Sequence, residues 1–389
     1  MDGLIRVFTN TQRGAPALSG TAGTLLGVLR ACLVDGYGAT GATSATIASG
    51  TATINLPQGS SFDVGTVVRI SGATPAALNG DARVLTATSA QITVATDAPD
   101  GPAGGSIAVK MAPADWAERF AGTVKNVGVF VPTAVKATGM LLRVDDTAAA
   151  SARVRAYEAM TAASTGTGLI PTNTQVNGGL WWPRSFQDAS APVAWWIVAD
   201  ARGFYLAADS LGIGAFTVFH AGDILSHAPG DAWGYLLTGN EADGFEPWST
   251  SAFGCCGVSM RNFIRGAWLA RLHTGIGGAV LAQRIGAHHN GVADAWAGGA
   301  SYGFGAYPNS PNNGLMTCAL ELYTDGVLRG ALPGLLHPFQ DCGAQFATGG
   351  FFDGEGDFAG RRLLPIGVGL PFSGRYGTVL FDATGPWSR

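Results

Sequence analysis

Residues 194–207 read Ala-Trp-Trp-Ile-Val-Ala-Asp-Ala-Arg-Gly-Phe-Tyr-Leu-Ala, two apolar runs separated by the four residues Asp200-Ala201-Arg202-Gly203. Aromatic and β-branched residues favour strands, and a short segment that contains aspartate and glycine favours a tight turn. The stretch therefore predicts a β-hairpin. Similar runs follow at residues 216–220 and 233–237, so we expect an antiparallel meander in this part of the chain.

Upstream of the hairpin, residues 43–110 consist of short alternating runs rich in threonine, valine and isoleucine. Alternation with a period of two predicts half-buried strands. The segments between the runs, Pro57-Gln58-Gly59, Asn79-Gly80 and Asp100-Gly101-Pro102, have the composition of turns. Residues 43–110 are therefore predicted to form a compact small β domain.

One helix is predicted near the start of the chain, within residues 20–34. Apolar residues recur there at steps of three and four from Leu25 to Cys32, and Gly36 can supply a left-handed stop. The fold class that follows is mainly β: a large β-sandwich-like domain with a short N-terminal helix, and a small β-barrel or sandwich domain.

The composition favours a protein whose surface is covered by partners. Of 389 residues, 58 are glycine and only 13% are charged, against about 7% glycine and about 25% charged residues in ordinary domains. A hydrophobic content of 47% excludes a disordered chain, and no long apolar run predicts a membrane span. Because monomers need surface charge to stay dispersed, we expect assembly with other copies or partners.

Charge and cysteine content exclude further classes. The net charge is −4 and no cluster of Lys or Arg could neutralise a run of phosphates, so we expect no nucleic-acid partner. Residues 1–6 lack the basic and apolar segments of a secretory signal, so we expect synthesis in a cytoplasm. The five cysteines form no CxxC pair and are expected to be reduced and buried: Cys32, Cys255, Cys256, Cys318 and Cys342.

Three groups of residues are candidate metal or redox sites. For each of them we favour a structural interpretation. Adjacent side chains such as His288 and His289 point to opposite faces of a strand, which disfavours a shared metal. Cys255-Cys256 could form a vicinal disulfide, but the glycines around it favour tight packing. Asp353, Glu355 and Asp357 could supply oxygen ligands to calcium, but a solvated glycine-rich turn is favoured.

No motif predicts an enzyme, and no cofactor is expected. Residues 299–303 match Gly-x-Ser-x-Gly without the strand and helix of a nucleophile elbow. Residues 36–41 spell GxGxxG but end a helix, so no dinucleotide site is implied. Glycan hydrolysis needs two carboxylates that face each other, and a sequence cannot show this for the candidates Asp145, Asp146, Glu158, Asp223 and Glu246.

Two tryptophan doublets, Trp181-Trp182 and Trp195-Trp196, are the candidate contact residues. On a strand one member of each doublet faces the core and the other faces away. The outward ring is expected to anchor a subunit interface or to stack on a sugar, and the alternative is a second buried layer that covers both rings.

Three segments of the small β domain resemble a module that recurs in structural proteins of tailed bacteriophages: Gly50–Ile54, Phe62–Ala73 and Leu78–Val84. The flanking sequence is similar to a family of structural phage virion proteins. The similar segments there are Gly14–Gly23, Cys32–Gly38, Leu142–Asp146, Ala152–Met160, Leu328–Leu335 and Gly385–Trp387. The first resemblance implies a module used as an appendage, and the second implies a part of a virion.

The resemblance also implies a domain organisation. The similarity is present before the small β domain and resumes from Trp116. We therefore interpret residues 43–110 as an insertion into a main β-rich domain formed by residues 1–42 and 111–389, since insertions favour exposed loops with close ends.

The function predicted from these observations is that of a non-enzymatic structural component of a tailed phage particle, associated with the tail or baseplate. Its expected location is the virion, and its expected partners are copies of itself in a symmetric homo-oligomer and other virion proteins. The alternatives are a receptor-binding protein that grips a host surface glycan, a head or neck decoration protein, and a depolymerase.

Overall fold

The computed structural model describes residues 3–186, 189–214, 216–227, 230–241, 266–272, 278–285, 307–308, 313–338, 340, 342–370 and 375–387, with the backbone alone at 283–285, 369–370 and 375–377. The structure confirms the predicted mainly β class with one short helix and a closed barrel.

Within these residues the helix α1 spans Thr24–Leu29 and continues as a π-helix over Arg30–Asp35, and single 3-10 turns occur at Ala76–Leu78 and Gly356–Phe358. The strands are β1 Arg6–Thr9, β2 Thr40–Gly41, β3 Ser44–Ala48, β4 Thr51–Asn55, β5 Val67–Thr74, β6 Gly80–Thr88, β7 Gln91–Ala95, β8 Gly101–Met111, β9 Trp116–Arg119, β10 Val127–Pro132, β11 Leu141–Asp145, β12 Ser151–Tyr157, β13 Ala159–Ala162, β14 Thr165–Thr167, β15 Leu180–Pro183, β16 Trp195–Ala199, β17 Gly203–Ala208, β18 Thr217–Asp223, β19 Leu225–Ser226, β20 Tyr235–Thr238, β21 Ala267–Ala270, β22 Ala279–Leu281, β23 Gln283–Ile285, β24 Thr317–Thr324, β25 Val327–Pro338, β26 Phe352–Asp353, β27 Arg362–Leu370 and β28 Arg375–Asp382.

The helix lies where the sequence predicts it. Leu25, Leu26, Val28 and Leu29 are buried on its inner side. Gly36 follows the last helical residue with a φ of 72°, a conformation that favours glycine because it has no Cβ.

Strands β3 to β8 form a closed barrel. They pair in the order β8-β3-β4-β7-β6-β5, and β5 pairs back with β8, which leaves no open edge among these six strands. Alternate residues fill the interior: Ala45 and Ile47 of β3 are buried, and their neighbours along the strand are exposed. The whole barrel therefore lies between Ser44 and Met111, while the exact domain limits of 43 and 110 stay a prediction.

The rest of the chain is built mainly of three stacked sheets, which we name by their position. The front sheet has the order β15-β12-β11-β10-β9, the central sheet β1-β16-β17-β18-β20-β21-β22, and the back sheet β23-β24-β25-β28-β27-β26, with β19 added to β25. The predicted hairpin is confirmed: β16 and β17 pair antiparallel, and Ala199 lies opposite Phe204.

The central sheet is buried on both faces. One face carries Phe204 and Phe219, which pack with Trp182 of the front sheet. The other face carries Tyr205 and Val218, which pack with the core of the back sheet. A strand with two buried faces reads as a continuous apolar run, and this explains why all six residues of β17 are buried.

A small hairpin, β13 with β14, folds over the outer side of the front sheet. Its Met160 and Ala163 pack with Val127 and Val129 in a minor apolar cluster. In the described part of the chain, no helix combines the length and the apolar character that a bilayer crossing requires.

Candidate functional site

The two tryptophan doublets differ in what covers their rings. Trp182 and Trp195 have no exposed area. The Trp182 ring stacks on Phe219, with centroids 5.8 Å apart, and its Nε1 donates to the Thr238 carbonyl at 2.6 Å. A residue with no exposed area cannot touch a sugar or another subunit, so Trp182 and Trp195 leave the set of candidate contact residues.

Trp196 is covered from the side of the back sheet. Its ring is partly buried against the back-sheet core, and a β-carbon placed on Gly349 would lie 2.7 Å from Cζ2 of Trp196. Trp195 therefore packs in one core layer, while Trp196 packs partly against the other core layer and keeps some exposed area.

Trp181 and Trp196 are the remaining candidates, since both are half-buried. Trp181 lies on the outer side of the front sheet, where the guanidinium carbon of Arg153 lies 4.0 Å from its ring centroid. Such a cation–π contact contributes about 0.5–1 kcal/mol at an exposed site. Trp181 thus belongs to a charged surface that the doublet pattern alone did not indicate.

That surface, which we call the arginine face, consists of Arg143, Arg153 and Arg155. Their alternating neighbours, such as Leu142 and Val154, are buried in the core, so the three arginines share the outer side of the front sheet. Antiparallel register places Arg143 directly opposite Arg155. The sequence signal for this face is a pair of arginines spaced by two residues on one strand, Arg153 and Arg155.

The other sequence candidates have separate positions in the fold. Asp353, Glu355 and Asp357 are exposed at the edge of the back sheet, and no cluster of three His, Cys, Asp or Glu residues that could hold a metal occurs in the described ranges. Cys32 and Cys342 are buried and Cys318 is half-buried, all three without a disulfide. Residues 255–256, 288–289, 299–303 and Glu246 lie outside the described residues.

The candidate carboxylates for glycan hydrolysis that lie within the described residues have different surroundings. Asp145 pairs with Arg143 at 3.1 Å on the outer side of the front sheet, and Glu158 is exposed. Asp223 is buried, pairs with Arg202 at 2.9 Å and accepts from Thr138. Residues 36–41 follow the π-helical end of the N-terminal helix, as predicted, and include β2.

Asp146 forms a buried ion pair with Arg184. Its Oδ2 also accepts the backbone N–H groups of Leu25, at 2.9 Å, and Leu26, at 3.2 Å, at the start of α1. Burial raises the pKa of Asp146 to about 6, against the opposing effect of Arg184. The pair therefore connects the helix, the front sheet and the end of β15.

Four charged residues form a closed ring between the barrel and the three sheets. Arg6 of β1 contacts Asp81 at 2.6 Å and Asp115 at 2.7 Å. Arg69 of the barrel contacts the same two carboxylates, each at 2.6 Å. Each arginine thus bridges both aspartates, an arrangement that fixes the barrel relative to the central sheet.

A cleft of about 210 Å³ opens beside this ring. Its charged lining is largely occupied by internal bonds: Asp115 binds Arg6, the Asp200 carboxylate accepts the backbone N–H groups of Arg202 and Gly203, and Arg202 binds Asp223. The cleft therefore lies among groups that hold the chain together.

Apolar side chains are exposed at the tips of several elements. Val135 is 98% exposed in the loop after β10, and Phe186 follows β15. At the turn of the β24–β25 hairpin, Val327 and Leu328 are each 46% exposed. Exposed side chains of this kind occur on the three-sheet body, and Val64 and Leu85 add two on the barrel.

Comparison of the chain with protein-family models and with curated proteins found no match.

Proposed function

We propose that this protein is a non-enzymatic structural subunit of a tailed phage particle, associated with the tail or baseplate, and that it assembles with other copies of itself and with other virion proteins. The sequence resemblance given above supports the phage context. A subunit of a particle needs a surface that neighbouring subunits can cover. The distribution of charged and apolar side chains in the structure bears on this requirement.

One observation carries the proposal: a chain with few charged residues uses several of them inside the subunit. Arg6, Asp146, Arg184 and Asp223 are buried and ion-paired. Asp81, only 7% exposed, pairs with two arginines. These five residues add little charge to the outer surface of a chain in which only 13% of the residues are charged. Dispersed monomers depend on surface charge, so this pattern favours an assembled state.

The exposed apolar tips favour the same state. Single exposed apolar residues are common on monomers, but at one hairpin tip two adjacent apolar residues, Val327 and Leu328, are each 46% exposed. Burial of apolar area stabilises association by about 25 cal/mol per Å². A neighbouring subunit that covers such tips gains this free energy of burial. Few surface charges are present to oppose the contact.

The attachment of the barrel to the three-sheet body supports a structural role. Besides the ring of four charges, Arg83 of β6 donates to the Thr384 carbonyl at 3.1 Å, and Arg362 of β27 donates to the Val64 carbonyl at 3.0 Å. The barrel thus contacts the central sheet and the back sheet through side chains as well as through its two connecting segments. A rigid junction suits a module that holds a fixed place in a particle.

The test uses purified particles of the virus that encodes the chain. Mass spectrometry is expected to find the protein in stable stoichiometry with the major virion proteins, and gold-labelled antibodies are expected to mark one position on the particle. The recombinant chain is expected to sediment as an oligomer. A chain that is strictly monomeric and absent from washed particles would contradict the proposal.

A further inference from the structure

The cleft of about 210 Å³ beside the ring of four charges is formed by parts of the chain that are far apart in sequence. Its walls come from β1 and the residues before it, from Asp115, from the loop after β10, from the turn between β16 and β17, and from residues 386–387. A volume of this size has room for several water molecules or for one side-chain group of a partner.

The two carboxylates that line the cleft already have partners inside the chain. Asp115 accepts from Arg6 at 2.7 Å and from Arg69 at 2.6 Å, one through each oxygen. The Asp200 carboxylate accepts two backbone N–H groups of the turn between β16 and β17. Arg6 also lines the cleft, but its charge is shared with aspartates of the ring.

Two other basic side chains of the lining keep donors that the chain does not use. Arg202 is 22% exposed and binds Asp223 through Nε at 2.9 Å, while its two terminal nitrogens have no hydrogen-bond partner among the described residues. Lys136 is exposed and forms no ion pair within the described ranges. The cleft therefore offers a guanidinium edge and an ammonium group to an acceptor from outside.

Asp223 sets the positions of both basic groups. This buried carboxylate accepts Nε of Arg202, and it also accepts from Thr138, through Oγ1 at 2.6 Å and the backbone N–H at 3.1 Å. Thr138 follows Lys136 by two residues in the loop after β10. One buried group thus anchors the guanidinium and the loop that carries the ammonium. Such preorganisation reduces the conformational entropy that is lost when a partner binds.

A carboxylate is the acceptor that these donors fit. A guanidinium whose Nε is occupied still presents the edge between its two terminal nitrogens, and this edge binds both oxygens of a carboxylate. A lysine ammonium adds charge-assisted hydrogen bonds from a flexible stem. Arg202 therefore supplies the directional contact, and Lys136 supplies a second positive charge at the rim.

The rim of the cleft favours a protein as the source of the carboxylate. Val135, directly before Lys136, is 98% exposed and gains burial when a polypeptide covers it. Trp387, the aromatic residue of the lining, is only 6% exposed and offers little of its ring to a sugar.

We propose that this cleft binds the carboxylate of an acidic side chain on a neighbouring protein of the particle. Arg202 and Lys136 contact the carboxylate, and the segment that carries it covers Val135. This inference rests on the proposed function and names one contact through which a neighbouring protein holds the subunit.

The experiment titrates the full-length protein with two capped tripeptides, Val-Asp-Val and its uncharged counterpart Val-Asn-Val, and measures binding by calorimetry and by NMR of the labelled arginine side chains. We expect the aspartate peptide to bind and to shift the Arg202 signal. The asparagine peptide is expected to bind at least tenfold more weakly, because it loses charge-assisted hydrogen bonds.

Two variants test the residues. Lys136→Ala removes an exposed side chain and is expected to weaken binding of the aspartate peptide about tenfold. Arg202→Lys keeps a positive charge beside Asp223 but removes the free guanidinium edge, and it is expected to weaken binding by a similar factor. The matched control Lys125→Ala changes an exposed lysine in the turn between β9 and β10 and is expected to bind like the wild type.

The inference fails if neither peptide binds, if the two peptides bind equally, or if Lys136→Ala binds like Lys125→Ala. Binding of acetate without the peptide would show a site for a free small anion, and binding of glucuronate without the peptide would assign the cleft to an acidic glycan; both results overturn the inference. A protein that is present in washed particles but binds no carboxylate would overturn this inference alone. A protein that binds the peptide but is absent from particles would overturn the proposed function.

Discussion

Arg6 on the first strand of the central sheet and Asp81 in the barrel are joined by a 2.6 Å ion pair, although 75 residues separate them in the chain. Arg6 is 4% exposed and Asp81 is 7% exposed. Asp81 also binds Arg69 through both of its oxygens. This one carboxylate therefore helps to fix the orientation of the barrel, and its removal leaves the two guanidinium groups with Asp115 as their shared partner.

We expect Asp81→Asn to lower the free energy of unfolding by about 2 kcal/mol or more, because Arg6 keeps a buried charge with one fewer partner. Urea denaturation measures the change. Asp97→Asn is the matched control, an exposed aspartate on the same barrel without a described hydrogen bond. Equal stability of the two variants would show that the ring contributes nothing.

Asp81 also predicts how the free energy of unfolding changes at acid pH. Burial alone would raise the pKa of Asp81, but hydrogen bonds and charge from Arg69 and Arg6 outweigh it, so its pKa lies below the ordinary value. Unfolded aspartate titrates near 3.9. The contribution of Asp81 is therefore present above about pH 4 and is lost as the pH falls through the lower pKa of the folded state.

We therefore expect the stability difference between the wild type and Asp81→Asn to be constant near neutral pH and to shrink below about pH 4. Denaturation curves of both proteins between neutral and acid pH measure it. A difference that stays constant into the acid range would contradict the lowered pKa.

Asp146 predicts the opposite pH dependence. Burial raises its pKa to about 6, above the value of about 3.9 in the unfolded chain. The folded state therefore binds the proton more readily, and the contribution from this group is full below about pH 4 and decreases as the pH rises through about 6. NMR titration of the Asp146 carboxyl carbon measures the pKa, and a midpoint below 4 would contradict the prediction.

Substitution of the buried pair separates its charge from its packing. Arg184→Met is expected to cost about 3 kcal/mol because the Asp146 carboxylate stays buried without its counter-charge. Asp146→Asn is expected to cost less, because it places a neutral group where the raised pKa favours one. The double variant is expected to lose less than the sum, since no isolated charge remains. Additive losses in urea denaturation would mean that the two side chains act independently.

Local patterns predicted the elements well. The alternation of residues 43–110 and the turns rich in Gly and Asn indicated strands, and the helix begins and ends near its predicted limits, because these signals depend on neighbours in the chain. The stacking of three sheets was not predicted, since β1 pairs with β16, far away in sequence, and no local period encodes that contact. The continuous apolar run of β17 is the sequence feature that indicates burial of this strand on both faces of the sheet.

The candidate site was predicted less well, because a sequence does not show what covers a side chain. Adjacent Trp181 and Trp182 face opposite sides as strand geometry requires, but the sequence did not show that Trp196 lies under Gly349. Arg143 and Arg155 become neighbours only through the register of β11 with β12. Asp145 and Asp146, next to each other, have an outer and an inner role because β11 ends between them.

The Trp181-Trp182 doublet gives a last prediction, in which the two neighbours respond differently to the same change. Trp182→Ala is expected to cost about 4 kcal/mol, because it removes a fully buried ring that packs on Phe204 and Phe219. Trp181→Ala is expected to cost about 1 kcal/mol, because it removes the contact with Arg153 and a half-buried ring. Urea denaturation of both variants measures these losses. Equal losses of stability would contradict the assignment of one ring to the core and the other to the surface.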